Sequence, residues 1–262
     1  MFACRQLDNN NAGREGHRLA TGYYRLHTNA MQSALPLHAT IRQRLFDGVL
    51  VANVTDKTGS SVCSFSAFVN AADTDKPVAV IEILAGTSAP TLEWVDEAGS
   101  KGNSAYGNKT VAESVAGSQT LFVSVMAVPK ATAAEATAAA TAAASTGRSA
   151  LLKASTAWWR AYWEQSFVTL PVTRAEGFYY TQMYRFVSSD RVGLHGLMGA
   201  FGPTGNFNFW PDDVWDMNEQ VMYWLAAASN RPQISDPMMR IVESGGIGGG
   251  TFSGHYIWNI YM

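Results

Sequence analysis

The first half of the chain alternates apolar and polar residues with a period of two, the pattern of half-buried β-strands. Residues 37–45 alternate in this way, Asp47 and Gly48 supply a turn, and an apolar run over 49–54 completes a β-hairpin. Further strands are predicted over 23–27, 62–69, 77–84, 91–95 and 119–128. Short strands joined by Gly, Asn, Asp and Ser are typical of an antiparallel β-sandwich, which we predict for residues 1–130.

The pattern then changes to helix. Residues 131–144 are mostly alanine with interspersed threonine, a composition that favours helix but offers no apolar face large enough to anchor a core. A second helix over 149–165 carries large side chains at helical spacing, which is typical of core or interdomain packing. These side chains are Leu151, Leu152, Trp158, Trp159, Tyr162 and Trp163. We therefore interpret residues 131–168 as a helical linker.

Residues 169–262 predict an array of α-helices. Thr173 and Glu176 have the spacing of a capping box, which opens a helix that ends at about Ser189. Apolar and aromatic residues nearly surround this helix, so we expect it to be buried on most sides. Two further helices are predicted over 213–229 and 235–243.

A long loop over 191–211 separates the first two of these helices. It is rich in glycine and in aromatic residues. A loop of this length in a compact domain usually carries function or is disordered, and the aromatic content favours function.

Composition narrows the possible partners. Of the 262 residues, 47% are hydrophobic, which is enough for a packed core, and the formal net charge is -2. No run of Lys or Arg exceeds two residues, so the basic footprint of a nucleic-acid-binding protein is missing. The sequence also lacks an apolar stretch of membrane-spanning length and a recognisable signal peptide. We expect neither nucleic acid nor a membrane as partner, while the compartment and the oligomeric state stay open.

The two cysteines are Cys4 and Cys63. They cannot form a disulfide scaffold and lack the clustered spacing of a zinc site. A single bridge and two unpaired thiols are both compatible with the sequence. We predict no metal and no other cofactor.

The most informative segment is 210–224, WPDDVWDMNEQVMYW, which places acids and amides between tryptophans. Tryptophan faces bury the C–H surfaces of sugars, and carboxylates and amides bind sugar hydroxyls, so the segment favours a carbohydrate site. Helix capping is the alternative explanation for its acids. The candidate residues are Trp210, Asp212, Asp213, Trp215, Asp216, Asn218 and Gln220, together with His195 of the loop. A lone histidine such as His195 is also typical of a hydrogen-bonded structural residue.

Helical geometry restricts how these residues can act together. At about 100° per residue, Asp216, Gln220 and Tyr223 share one face, whereas Asn218 points nearly opposite to Asp216. Asp216 and Asn218 can reach one water or sugar hydroxyl only if the chain through Asp216 is extended or turn-like and regular helix starts near Asn218. Hydrolysis further needs two carboxylic functions, or an acid and an amide-held water, across the glycosidic bond.

Three segments resemble a known family. The segments 179–189 (YYTQMYRFVSS) and 215–224 (WDMNEQVMYW), with the glycine-rich loop between them, are similar to the first catalytic-domain hairpin of glycoside hydrolase family 95 and its relatives, the six-hairpin glycosidases. Residues 158–166 (WWRAYWEQS) are similar to the linker helix that precedes this hairpin. The family places a β-sandwich before an (α/α)6 barrel, and members are often secreted.

The resemblance implies an α+β multidomain fold. Residues 1–130 would form the antiparallel β-sandwich, residues 131–168 the helical linker, and residues 169–262 the first hairpins of an incomplete (α/α)6 barrel.

The resemblance also implies inverting, exo-acting hydrolysis of a terminal sugar, α-L-fucose or a galactose relative, on an oligosaccharide or glycan. In the family a glutamic acid protonates the leaving oxygen, while two asparagines, assisted by an aspartate, orient and activate water. Asn218 matches the second asparagine, and Asp216 occupies the place of the first. Whether Asp216 acts as a base or binds a sugar hydroxyl stays open.

Length sets a limit on the activity that we expect. Six hairpins need on the order of 300 residues, more than follow Leu170. The family's general acid lies downstream of this hairpin, and Glu219 and Glu243 are poor substitutes for it. We therefore expect the N-terminal portion of a glycosidase, inactive alone. We also expect poor solubility, because an incomplete array exposes an apolar face.

Two alternatives belong to other classes of protein. One is a non-catalytic carbohydrate-binding module that uses the same aromatic loop. The other is a structural or interaction protein in which the tryptophan-rich helix docks on the sandwich and the acids only cap helices. A general acid in a longer reading frame would favour the hydrolase, and weak sugar binding without turnover would favour the module.

Overall fold

The structure of the protein is a computed structural model that describes residues 3–8, 17–27, 36–73, 76–86, 91–96, 104–113, 117–127, 132–189 and 220–243. The strands are β1 (Ala3–Asp8), β2 (His17–His27), β3 (His38–Arg44), β4 (Val49–Thr55), β5 (Ser61–Val69), β6 (Val78–Ala85), β7 (Thr91–Asp96), β8 (Ser104–Ala112) and β9 (Gln119–Ala127). The helices are α1 (Ala133–Thr146), α2 (Arg148–Glu164), α3 (Thr173–Ser189), α4 (Gln220–Ala228) and α5 (Asp236–Glu243), with a 3-10 helix at Pro232–Ser235. The predicted order, an antiparallel sheet region followed by helices, is confirmed.

The chain divides into two compact units. The first consists of Met1–Cys4 and Thr21–Ala161, and the second of Arg5–Ala20 and Tyr162–Met262. The division falls within α2, and therefore inside the segment that the sequence analysis interprets as a linker.

The strands form two sheets. The larger has the order β3-β4-β5-β6-β9-β8, with every neighbouring pair antiparallel, and the smaller has the order β1-β2-β7. The predicted hairpin is β3 and β4, and each further predicted strand is present. The strands β1 and β8 are additions to the prediction. In β8, Gly107, Asn108 and Lys109 interrupt any apolar alternation.

The larger sheet is covered on both faces in the first unit. Successive residues of β6 point to opposite faces, because strand side chains alternate. Ile81 packs in one cluster with Tyr24 of the smaller sheet, so the two sheets share a core. Val80 packs on the other face in a cluster with Ala140 of α1 and Leu151 of α2. Helices therefore cover the face that the smaller sheet leaves open.

The alanine-rich segment forms α1 and belongs to this core, so the expectation that it lacks a face able to anchor a core was wrong. Ala136 and Ala140 are completely buried. A Cβ added to Gly107 of β8 would lie 2.2 Å from the backbone nitrogen of Thr137. Methyl groups are sufficient to fill the interface because helix and strand backbones approach so closely.

Cys63 is a buried free thiol in β5. Burial raises the pKa of this thiol, because the thiolate would lose its hydration. Of the two arrangements that the sequence allows, Cys63 therefore adopts the unpaired one.

Helix α2 is fixed to the larger sheet at two points in the first unit. The Nη2 atom of Arg148 lies 2.8 Å from Oε2 of Glu82 and donates to Oγ of Ser66 at 2.9 Å. Further along, a Cβ added to Gly48 would lie 2.1 Å from Nε1 of Trp159. Gly48 also has a φ of +70°, so this turn needs glycine for both reasons. The aromatic stripe thus serves packing, as predicted.

The start of α3 differs from the predicted capping box. The carbonyl of Val172 accepts from the backbone nitrogens of Ala175 and Glu176, so Val172 caps the helix and Thr173 is its first residue. The carboxylate of Glu176 accepts from the backbone nitrogen of Leu170 at 2.8 Å. Glu176 therefore holds the preceding loop instead of pairing with Thr173.

Burial around α3 is also less complete than the sequence predicts. Met183, Phe186 and Val187 are buried, but the side chain of Phe178 is 65% exposed. The expectation of burial on most sides was therefore wrong: the buried residues form one face of the later part of the helix, where Arg185 and Ser188 are exposed.

We expect Gly107→Ala to destabilise the first unit by about 1–3 kcal/mol or more, because the new methyl group meets helix backbone that cannot rotate away. Gly177→Ala in α3 is the matched control, since no atom lies within 4 Å of its added Cβ. The control should stabilise its helix by about 0.5–1 kcal/mol. Urea unfolding followed by circular dichroism measures both free energies. Equal effects of the two substitutions would contradict the close approach of α1 to β8.

Candidate functional site

The predicted sugar site lies almost wholly outside the described residues. Gln220 opens α4, and the other candidates fall in the segment 190–219. Those candidates are His195, Trp210, Asp212, Asp213, Trp215, Asp216 and Asn218. The structure describes the helices on both sides of this segment. The end of α3 precedes it, and the start of α4 follows it.

The end of α3 and the start of α4 lie side by side. The rings of Phe186 and Tyr223 meet edge-on with centroids 5.5 Å apart and planes at 90°, and both side chains are buried. Phe186 lies three residues before the end of α3, and Tyr223 lies three residues after the start of α4. These are the two helix ends that flank residues 190–219. At a rise of about 1.5 Å per residue, both helix ends are within about 5 Å of this contact along their axes. The two helix ends that flank residues 190–219 therefore both lie near this ring contact.

Helix α4 presents one face to the protein. Tyr223 and Ala226 are buried, whereas Trp224 is 66% exposed. Gln220 precedes Tyr223 by three residues, so its position lies on the same side of the helix.

A completely buried arginine fixes the other end of α4. The Nε atom of Arg231 donates to the carbonyl of Tyr162 at 3.0 Å. Nη1 donates to the carbonyl of Ser229 at 2.8 Å and to Oγ of Ser166. Nη2 donates to the carbonyls of Ser166 at 2.9 Å and Trp163 at 3.4 Å. All five N–H groups of the guanidinium therefore have acceptors.

The position of these acceptors explains why a cation is stable there. Tyr162 and Trp163 lie in the last turn of α2, and Ser229 directly follows α4. The last carbonyls of a helix lack intrahelical partners and carry the negative end of the helix dipole. One guanidinium thus donates hydrogen bonds to the carbonyls at the C-terminal ends of two helices.

The backbone around Asn230 prepares this contact. Asn230 has a φ of 56°, and the backbone nitrogen of Arg231 donates to the carbonyl of Ala226 at 2.8 Å. The nitrogen of Asn230 donates to the carbonyl of Ala227 at 3.1 Å, which completes a Schellman motif. The motif turns the chain so that Arg231 reaches α2. The sequence analysis did not identify Arg231, although Asn-Arg-Pro after an apolar helix is a helix-stop signal.

Aromatic residues enclose the guanidinium and connect α2 to α3. The guanidinium carbon of Arg231 lies 4.7 Å from the ring centroid of Tyr162, in cation-π geometry. The Tyr162 hydroxyl donates to the carbonyl of Met183 in α3 at 3.2 Å. The Tyr180 hydroxyl of α3 donates to the carbonyl of Val168 at 2.9 Å and accepts from its nitrogen at 3.0 Å. The hydroxyls of Tyr162 and Tyr180 therefore connect α2, and the chain that directly follows it, to α3.

The rest of the described chain offers less chemistry. No group of three or more His, Cys, Asp or Glu residues within it could hold a metal ion. A shallow depression along the outer face of α1 is lined by alanine, threonine and serine. The hydroxyls of Thr137 and Thr141 there donate to carbonyls one turn earlier in the helix. This face has no charge with which to hold a ligand.

No protein-family model and no curated protein sequence matches this chain. Among the helices that the structure describes, none combines the length and apolar character needed to cross a membrane.

We expect Arg231→Met to destabilise the second unit by about 3 kcal/mol or more, because it leaves buried carbonyls without donors. Arg231→Lys should fall between Met and wild type, since an ammonium group has only three donors and cannot span the same acceptors. Arg174→Met, at an exposed position of α3, is the control and should change stability by less than about 0.5 kcal/mol. Denaturant unfolding measures all three variants. A wild-type-like Arg231→Met protein would show that this cluster is not a structural anchor.

Tyr162 should make the stability of the second unit depend on alkaline pH. Burial raises the pKa of its hydroxyl, and the charge of Arg231 only partly opposes this. The pKa is thus higher in the folded than in the unfolded chain, where it is about 10. Below about pH 10, Tyr162 is neutral in both states and the full free energy of unfolding is retained. As the pH rises above that value, the hydroxyl ionises more easily in the unfolded chain, so the free energy of unfolding falls.

We therefore expect the free energy of unfolding to fall more steeply above about pH 10 in wild type than in Tyr162→Phe. Urea unfolding from about pH 8 to about pH 11 compares the two proteins. Parallel curves would mean that Tyr162 ionises as easily in the folded chain as in the unfolded one.

Proposed function

We propose that this chain binds a terminal sugar of an oligosaccharide or glycan through the hairpin of α3, the segment 190–219 and α4. In this proposal it supplies the sugar- and water-binding part of an inverting, exo-acting glycoside hydrolase of the six-hairpin kind, α-L-fucosidase-like or galactosidase-like. The resemblance of residues 179–189 and 215–224 to that family supports the assignment.

The observation that carries the proposal is the contact between Phe186 and Tyr223. It brings together the two ends of the segment that contains the acids, amides and tryptophans. Residues 190–219 connect these two helix ends, and connections held by rigid elements are the usual place for binding residues. Arg231 adds support, because it fixes the far end of the helix that follows Asp216 and Asn218.

The proposed roles follow from chemistry. The Asn218 amide orients the attacking water, and the Asp216 carboxylate either accepts its proton or binds a sugar hydroxyl. Trp210 and Trp215 cover the apolar face of the sugar, while Asp212, Asp213, Gln220 and His195 bind its hydroxyls. Protonation of the leaving oxygen is assigned to the glutamic acid that the family carries downstream of this hairpin.

The fold supports the same assignment at a finer level. Two sheets that share a core, with Tyr24 of one packed against Ile81 of the other, fit the predicted β-sandwich. Helices α3 and α4 fit the first hairpin of an (α/α)6 barrel, because a buried aromatic pair joins them at one end.

We expect the full chain to bind methyl α-L-fucoside or methyl α-D-galactoside in saturation-transfer NMR and calorimetry. Asp216→Ala and Asn218→Ala should each weaken binding about tenfold or more, because each removes a proposed hydrogen bond to the sugar. Asp216→Asn restores the residue that the family has at this position and should retain binding of the fucoside.

Thr141→Ala is the matched control, because Thr141 is exposed on α1 and should not affect the affinity. Folding of every variant is verified by circular dichroism. A folded chain that binds neither sugar, or variants at Asp216 and Asn218 with unchanged affinity, would contradict the proposal.

A further inference from the structure

Two strands carry the acceptor pattern for N-linked glycosylation, an asparagine followed by any residue except proline and then by serine or threonine. One is Asn53-Val54-Thr55 in β4, and the other is Asn108-Lys109-Thr110 in β8. The structure gives the two asparagines different surroundings.

Asn53 is exposed at the surface of the larger sheet. Val54 is buried in the core, and strand alternation therefore directs its neighbour Asn53 to the opposite face, where it is exposed. Its cross-strand neighbour Thr40 in the edge strand β3 is exposed as well. A large substituent on Asn53 would thus project into solvent without displacing a packed side chain.

The amide of Asn53 is also held with its nitrogen available. Its Oδ1 atom accepts from Oγ of Ser61 at 3.0 Å. Within the described residues, Nδ2 makes no hydrogen bond. This nitrogen is the atom that carries the sugar in an N-linked glycan, and the hydrogen bond from Ser61 engages only the amide oxygen of the exposed Asn53 side chain.

Asn108 provides the contrast. It is exposed, but its Nδ2 atom donates to the hydroxyl of Tyr106 at 2.6 Å. Tyr106 in turn contacts the Tyr24 hydroxyl and stacks on Trp94 with centroids 4.5 Å apart. The amide nitrogen of Asn108 is therefore held against the aromatic end of the sheets.

We propose that Asn53 is an N-glycosylation site of this chain, with a lipid-pyrophosphate-linked oligosaccharide as the sugar donor. A bond forms between Nδ2 of Asn53 and C1 of the first sugar, and the bond from C1 to the pyrophosphate oxygen breaks. The lipid pyrophosphate leaves with the electron pair, and the amide gives up one proton to the transferase. The glycan would lie beside β3, where it hinders the pairing of this edge strand with another chain.

The test is translation of the full chain behind a cleavable secretory signal in the presence of endoplasmic-reticulum microsomes. Protease protection identifies the translocated chain. We expect this protected chain to gain mass and to lose the gain on treatment with an amidase that cleaves N-glycans. That treatment converts the modified asparagine to aspartate, so peptide mass spectrometry should find aspartate at position 53.

Matched variants assign the site. Asn53→Gln and Thr55→Ala should remove the gain in mass, whereas Thr55→Ser should retain it because the acceptor pattern needs only a hydroxyl. Asn108→Gln should leave the glycan on Asn53 unchanged. A protected chain without added mass, or a gain that only Asn108→Gln removes, would overturn the proposal. Neither result depends on sugar binding by the hairpin of α3 and α4.

Discussion

The helical part of this protein depends on one buried guanidinium. Arg231 has no exposed surface, and its five donors face four backbone carbonyls and one hydroxyl at the ends of α2 and α4. A guanidinium is suited to this position because its planar fork satisfies several acceptors at once and keeps its charge. The start of α4 is held by the contact between Phe186 and Tyr223. The helix that follows the acid- and amide-rich segment is therefore fixed at both ends.

In the first unit, small residues allow the helices and strands to pack closely. Gly107 and the buried alanines of α1 let a helix rest almost directly on strand backbone. Gly48 allows the indole of Trp159 to cover the β3–β4 turn in the same way. In both places the packing requires glycine, because a close-packed interior leaves no room for an added carbon.

The sequence predicts those parts of the molecule whose stabilising pattern is local. Alternation locates β3, β4, β6 and β9, and helical spacing locates α2 and α3. Predictions fail where the decisive partner is distant in sequence. The core role of α1 depends on Gly107 in a strand without alternation, and the role of Arg231 depends on α2 carbonyls more than sixty residues away. Of the candidate site, Gln220 falls in the described residues, while the functional assignment of Asp216 and Asn218 is drawn from composition and resemblance.

We propose that Asp216 and Asn218 bind a sugar in the segment that connects α3 to α4. The most direct measurement is a crystal structure of the chain with bound methyl α-L-fucoside or methyl α-D-galactoside. The account predicts a sugar ring with hydroxyls about 3 Å from the polar side-chain atoms of both residues. Side chains of Asp216 and Asn218 that turn to protein backbone, with no accessible hollow beside them, would contradict it.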